Sequence, residues 1–443
     1  MLKDKKFGVI SLGCDKNRVD TEKMLAMIQG CGYTLTDDAA KANVLIVNTC
    51  GFLNASREES IETVLEFVEY KKQNLEKIVM TGCLPQKFID ELFEVFLEVD
   101  VFLGVKDYEL LFEALERSYA TGERQNVVGQ GEEVLRIDRV QTTDPHFAYL
   151  KIADGCYNHC TYCLIPKIRG KYVSYPMQSL VQEAKELGEL AELIVVAQDT
   201  TRYGEDLYGE NRFVELLREL SSLENIQSIR LLYCYPDVIT DELIAEIRDN
   251  EKILKYMDIP LQHSEDRILK LMNRKGKRKE YLDLFAKLKR EIPAIAIRST
   301  FISGFPTETE EEFMAMQAFL QEAKLFNCGF FAYSKEPDTA AARLQGQVHH
   351  KTKERRVRTL YEIQRGISLE ILQSFVGKEI EVLCDGIDYE RGCFRGRAYF
   401  SAPEIDGCVY FNAPEAMQGK KYVVKITSAN AYDLYGRTED YEE

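Results

Sequence analysis

Mostly apolar runs frame the first hundred or so positions. Phe7–Leu12, Val44–Asn48, Ile78–Thr81 and Val99–Leu103 lack the in-out alternation of a half-exposed strand, so each predicts a strand covered on both faces. Helical periodicity lies between them, over Val19–Gln29, Ser56–Lys72 and Tyr108–Tyr119. Buried strands joined by helices predict an α/β fold with a parallel, doubly wound sheet over residues 1–124. Residues 125–145 lose the periodicity and carry Gly129-Gln-Gly and Thr142-Thr-Asp-Pro145, which reads as a linker with one edge strand.

Strand and helix patterns resume over residues 146–376. The strands are Phe147–Ile152, Leu193–Ala197, Ser228–Tyr233, Met257–Pro260, Ala294–Ile302 and Gly329–Tyr333, with helical patterns between them. Six such units are too few to close an eight-stranded barrel, so an open, partial (β/α)6 barrel is expected. A charged helix follows, with Ile363, Ile367, Leu369 and Leu372 marking its apolar side and the basic stretch Lys351–Arg358 capping the barrel. From Gly377 the period shortens to alternating strands with glycine turns, which predicts a small five-stranded β-barrel over 377–443.

Composition narrows the class. A chain of 443 residues with 45% hydrophobic content holds two to three domains. No run approaches a membrane span, and the N-terminal apolar run is too short for a signal peptide, so a cytoplasmic location is expected. The formal charge of −16 is the wrong sign for a chain whose main task is to grip a phosphate backbone, and it suits a basic protein partner. The small C-terminal barrel repeats that balance, with 13 acidic and 8 basic residues from Lys378 to Glu443. Twelve cysteines in such a chain point to metal or redox chemistry rather than disulfides.

Three of them stand in Asp154-Gly-Cys-Tyr-Asn-His-Cys-Thr-Tyr-Cys-Leu-Ile-Pro166. Cys156, Cys160 and Cys163 can hold three irons of a four-iron, four-sulfur cluster and leave the fourth open to a small molecule. Zinc would need a fourth ligand, and His159 beside Cys160 fits a tight tetrahedron poorly. Incidental cysteines are the remaining reading. Gly155 supplies the sharp turn into the loop, and Pro166 stops a helix from running through it.

Cys14, Cys50 and Cys83 each follow directly on an N-terminal strand. Strand ends of a parallel sheet share one edge, so three thiols from distant positions converge there. They are expected to hold a second cluster, with buried core cysteines as the alternative. Cys31 sits in a helix-end turn and lacks this placement, and Cys384, Cys393 and Cys408 read as structural. Polar groups gather at the barrel's strand ends: Gln198-Asp199, Tyr235, Gln262-His263, Arg298-Ser299 and Ser303-Gly304. Asn273-Arg-Lys-Gly-Lys-Arg-Lys reads as a solvated basic loop, with contact to an anionic partner as the alternative.

The C-x-x-x-C-x-x-C spacing, with an aromatic before the last cysteine, resembles the radical S-adenosylmethionine (SAM) superfamily. Over nearly the whole chain the arrangement resembles the methylthiotransferases, with a TRAM-like C-terminal module. Gln198-Asp-Thr-Thr-Arg-Tyr-Gly204, Asp258-Ile-Pro-Leu-Gln-His263, Met272-Asn-Arg and Tyr333-Ser-Lys resemble the RimO branch in particular. The resemblance implies two four-iron clusters and SAM. One SAM gives a methyl group and another a 5′-deoxyadenosyl radical, with sulfur reaching the substrate through the second cluster. It implies SAM contacts near Tyr162, Gln198 and Arg298, and an aspartate β-carbon of small-subunit ribosomal protein S-twelve as the substrate. A tRNA adenosine is the alternative substrate, and a non-catalytic iron–sulfur module of ribosome assembly the alternative of another class. The electron donor is left open. Two positions depart from the family pattern: Asp15 stands where proline is common, and Thr307 where glycine is usual. Neither removes a ligand.

Overall fold

The computed structural model describes residues 2–131 and 138–441, so part of the expected linker (132–137) lies outside the described residues. The described residues form two compact units. The first holds Met1–Thr142, Ala153–Tyr157 and Cys163–Glu183, and the second holds Thr143–Ile152, Asn158–Tyr162 and Ala184–Glu443.

The first unit is built on six parallel strands: β1 (Lys6–Ser11), β2 (Thr34–Leu35), β3 (Val44–Thr49), β4 (Lys77–Gly82), β5 (Val101–Phe102) and β6 (Gln125–Asn126). They lie in the order β2-β1-β3-β4-β5-β6. Four helices cover them: α1 (Asp15–Gly30), α2 (Asn54–Val68), α3 (Cys83–Val95) and α4 (Leu111–Thr121). β3 is buried at all six positions, as its unalternating sequence requires. Successive strand residues point to opposite faces, so Val44 and Ile46 enter one core cluster and Leu45 and Val47 the other. The sequence reading missed β2, a two-residue edge, and α3, whose first turn contains Pro85. The expected edge strand is present as β6.

In the second unit six parallel strands run in sequential order. Phe147–Lys151 and Asn327–Ala332 form the two edges, and between them lie Glu192–Val196, Ile229–Leu231, Ile253–Asp258 and Ala296–Ser303. The fourth strand starts four residues earlier than its apolar run suggests. Lys255 disguised it: its ammonium donates to the carbonyls of Ile247 and Asn250, which lets a charged residue sit within the strand.

The C-terminal strands Glu379–Asp388, Cys393–Arg397, Val409–Asn412, Lys421–Ala429 and Leu434–Arg437 close into a barrel. It is docked on the six-stranded sheet by buried charge. Glu192 takes Arg230 at 2.5 Å and Arg397 at 2.6 Å. Asp385 takes Arg397 at 2.9 Å and His146 at 2.8 Å. Asp406 accepts from Tyr256 at 2.7 Å and Asn327 at 2.9 Å. Phe400 stacks on Phe326 at 4.8 Å between ring centroids and meets Phe375 at 5.0 Å.

The long helix His350–Gln373 buries Leu360, Ile367 and Leu372, but also Arg356, Gln364 and Ser368. Ile363 and Leu369 are only half-buried, so the buried side is more polar than the apolar pattern indicates. Gln364 belongs there because it donates to the carbonyl of Leu325 at 3.0 Å. Among the described residues no helix is long and apolar enough to cross a membrane.

Candidate iron–sulfur sites

In the first unit the three strand-end cysteines come together. Cys14 caps the N-terminus of α1, Cys50 follows β3, and Cys83 opens α3 after β4. Their loops close tightly on one another. A Cβ on Gly13 would lie 2.8 Å from the Cβ of Cys50 and 3.2 Å from its Sγ, and one on Gly51 would lie 2.7 Å from the carbonyl oxygen of Cys83. Polar side chains hold the loops in place. Asn17 donates to the carbonyls of Leu12 and Thr49, both at 3.1 Å. Ser60 takes the Cys50 N–H at 3.1 Å, and Thr49 donates to the carbonyl of Thr81 at 2.6 Å.

The donor set is three thiols with no carboxylate or imidazole among them. Among the described residues no group of three or more His, Cys, Asp or Glu is gathered tightly enough for a single metal ion. Three thiols on three separate loops are a donor set of the kind that a four-iron cluster takes. Burial pushes the Cys83 thiol up to about 12 and raises Cys50 as well. Ligands must be thiolates, so these sites need compensating positive charge. The N-termini of α1 and α3 supply part of it. Arg169 supplies more: one of its N–H groups lies 3.7 Å from the Cys83 sulfur.

Asp15 sits at the first position of α1, where an acidic side chain complements the helix dipole. Proline is also favoured at that position, so the departure from the family pattern costs the helix little.

The second cysteine set lies on one continuous loop, through which the division between the units passes. In the first unit the Cys156 N–H donates to the carbonyl of Gly170 at 3.3 Å, and the Cys163 sulfur accepts from the Ile165 N–H at 3.4 Å. A Cβ on Gly155 would meet the Lys171 carbonyl oxygen at 2.0 Å, and the φ of Gly155 is +77°, so the turn before Cys156 needs glycine on both counts.

In the second unit Cys160 lies beside Arg274, whose guanidinium is 4.0 Å from the sulfur and 4.1 Å from the centroid of Tyr235. Asn273 donates to the carbonyl of His159 at 3.0 Å and to that of Asn158 at 3.3 Å. Arg274 thus departs from the expectation of a solvated loop, being only 7% exposed, while Asn273, Lys275 and Lys277 are exposed as expected. Asn273 and Arg274 stood within the Met272-Asn-Arg stretch, but the lysines around them hid their role. Asn158 donates to Asp199 at 2.8 Å, which ties the cysteine loop to the residues following strand Glu192–Val196.

Gln198 stands immediately before Asp199, just past that strand end. Tyr162 packs beside Met272, Phe305 and Tyr333. Arg298 is placed differently from the other two residues expected near SAM. It is the third residue of an eight-residue strand, and its guanidinium pairs with Asp258 at 3.0 Å and with Asp406 of the C-terminal barrel at 3.4 Å. Ser299 donates to the carbonyl of Ile259 at 2.7 Å and serves the sheet.

The turn after strand Ala296–Ser303 is fixed by Glu308, which accepts from the N–H groups of Gly304 at 2.7 Å and Phe305 at 3.2 Å and pairs with Arg356 at 2.7 Å. His263 Nε2 faces the same carboxylate at 3.4 Å. Thr307 has φ +71°, a left-handed conformation costly for a β-branched residue, which explains the usual glycine. Arg267 holds it by donating to its hydroxyl at 3.0 Å and its carbonyl at 2.8 Å. Thr307→Gly is expected to stabilise the chain by about 1 kcal/mol, since relief of the left-handed strain exceeds the entropy cost of glycine. Urea denaturation measures this; a loss of stability would mean that the Arg267 bond to the hydroxyl outweighs the strain.

Comparison with known proteins places these features. The sequence matches three family models: uncharacterized protein family UPF0004 over residues 6–104, the radical SAM superfamily over 150–320, and the TRAM domain over 376–438. The radical SAM match brings with it a four-iron, four-sulfur cluster and SAM. Among solved structures, the fold resembles TsrM, a radical SAM methyltransferase from Kitasatospora setae. The TM-score is 0.55 at 13% identity, over 74% of this chain and 75% of that one. The ribosomal protein uS12 methylthiotransferase RimO of Lachnoclostridium phytofermentans is 44% identical over 97% of this chain and 99% of its own. That of Clostridium tetani is 45% identical over 97% of each. The resemblance to the RimO branch read from the loop motifs is thereby borne out: this chain belongs to the RimO family of radical SAM methylthiotransferases.

Proposed function

We propose that this chain methylthiolates ribosomal protein uS12 at the β-carbon of an aspartate, with two four-iron clusters. The reading is carried by end-to-end relation, at 44–45% identity, to proteins named for that activity. In it, residues 146–376 hold the SAM-cleaving cluster on Cys156, Cys160 and Cys163. Residues 1–124 hold the second on Cys14, Cys50 and Cys83, and residues 377–443 form the small barrel. When bound, the clusters and SAM supply the radical that takes a hydrogen atom from the substrate carbon and the methylthio group that replaces it.

The chain's own residues supply positions and charge. Asn158 and Asn273 hold the backbone of the SAM-cleaving loop, Arg274 places a cation against Cys160, and Asn17 and Ser60 hold the loops of the second site. Tyr162 and Gln198 are the proposed SAM contacts. Arg298 is already committed to Asp258 and Asp406. The acidic C-terminal barrel suits a basic protein substrate better than RNA.

The test is anaerobic reconstitution with iron, sulfide, SAM and reductant, offering uS12 and unmodified tRNA in parallel. Mass spectrometry is expected to find a methylthio gain on an aspartate-containing peptide of uS12. A gain on tRNA adenosine alone would overturn the substrate and leave the cluster assignments standing.

A further inference from the structure

Arg169 is a buried cation whose two ends meet different partners. Nη1 pairs with Asp154 at 2.8 Å and with Asp20 at 3.0 Å, both buried carboxylates. Nη2 is turned the other way, to Asn17 Oδ1 at 2.5 Å and to Cys83 Sγ at 3.7 Å. The side chain is 2% exposed. A guanidinium held on one side by two carboxylates is fixed in orientation, so its other side presents N–H groups at a set place. What it presents them to is a sulfur that serves as a candidate cluster ligand.

We propose that Arg169 raises the reduction potential of the second cluster by donating a hydrogen bond to the Cys83 sulfur. This rests on the assignment of Cys14, Cys50 and Cys83 as its ligands. Adding one electron makes the cluster and its thiolates more negative, and an N–H group aimed at a ligand sulfur stabilises that state more than the oxidised one. Arg169 is a positioning residue, since it acts through Cys83. It follows Cys163 by six residues, so the segment leaving the SAM-cleaving loop also supplies the tuning group of the second site. A purely structural role, pinning residues 165–169 to α1, would leave the potential unchanged.

The test uses the full-length chain with Cys156, Cys160 and Cys163 changed to alanine, so that only the second cluster assembles. The redox titration is followed by electron paramagnetic resonance, with iron and sulfide measured on every sample. At the midpoint potential of this background, Arg169→Gln is expected to lower the reduced-to-oxidised ratio about tenfold, a shift of about 59 mV for one electron. Arg169→Lys keeps the charge and is expected to fall between. A variant with full iron and an unchanged midpoint overturns the proposal.

Loss of the Gln variant through misfolding does not protect the idea. With Arg169 in place and arginine labelled with nitrogen-15, pulsed resonance on the reduced cluster is expected to show a nitrogen coupling that disappears in Arg169→Lys. Absence of that coupling overturns the proposal as well. If the triple-alanine background takes up no iron and sulfide, the second-cluster assignment itself fails and this inference falls with it.

Discussion

Cys50→Ala is expected to bring methylthiolation to background while SAM cleavage stays measurable, and Cys160→Ala is expected to remove both. The asymmetry follows from where the two thiols lie. Cys160 is on the loop whose spacing marks the radical SAM superfamily, beside Arg274 and Tyr235, so its removal would take one of the three thiols proposed to hold the SAM-cleaving cluster. Cys50 belongs to the separate set at the ends of β1, β3 and β4, where its loop is held by Ser60 and packs against Gly13. Its removal takes one ligand from that set and leaves the SAM-cleaving loop unaltered. The measurement is chromatographic quantitation of 5′-deoxyadenosine and of modified uS12 peptide from the same reactions. Equal loss of 5′-deoxyadenosine in both variants would sink the division of labour.

The second large effect concerns stability. Glu192→Gln is expected to cost about 3–5 kcal/mol, the usual range for breaking a buried pair by removing one partner. Glu192 is 2% exposed and is shared by Arg230 from the neighbouring strand and Arg397 from the C-terminal barrel. The amide keeps the shape but leaves two buried guanidiniums facing a neutral group. Hydrogen exchange should locate the loss in strands Glu379–Asp388 and Cys393–Arg397, and urea denaturation should give its size. A loss under 1 kcal/mol would mean that the aromatic contacts of Phe400 carry the docking instead.

The same carboxylates set an acid limit. Burial alone would raise Glu192, but Arg230 and Arg397 more than offset it and hold it below its ordinary range. In the same way the hydrogen bond from His146 and the charge of Arg397 hold Asp385 low against its burial. Groups with lowered folded values contribute stability that is complete above the ordinary carboxylate range, near pH 4, and is lost as the pH falls through the lowered values. Docking of the C-terminal barrel should therefore weaken below about pH 4. Glu192→Gln should make that acid slope shallower.

By itself the sequence determined most of the strands, the class of each region and the six cysteines as candidate ligands. The physical reason is that these depend on short-range patterns. A strand buried on both faces must be apolar at every position, as Val44–Val47 are, and a loop carrying three thiols within eight residues needs only its own chain. The convergence of Cys14, Cys50 and Cys83 was legible for the same reason, since all strand ends of a parallel sheet share one edge. What only the tertiary structure decided is which charges are buried. Arg274 lies in a basic stretch that reads as solvated, and nothing in its own stretch marks Arg169 as buried, because the groups that make their burial tolerable are far away in sequence: Asp20 for Arg169, Tyr235 and Cys160 for Arg274. Lys255 hid a strand and Gln364 joined a buried face through carbonyls belonging to other segments. Arg298 turned toward Asp406, a residue of another domain. A periodicity is written in neighbours, but the partner of a buried charge exists only once the fold has brought it there.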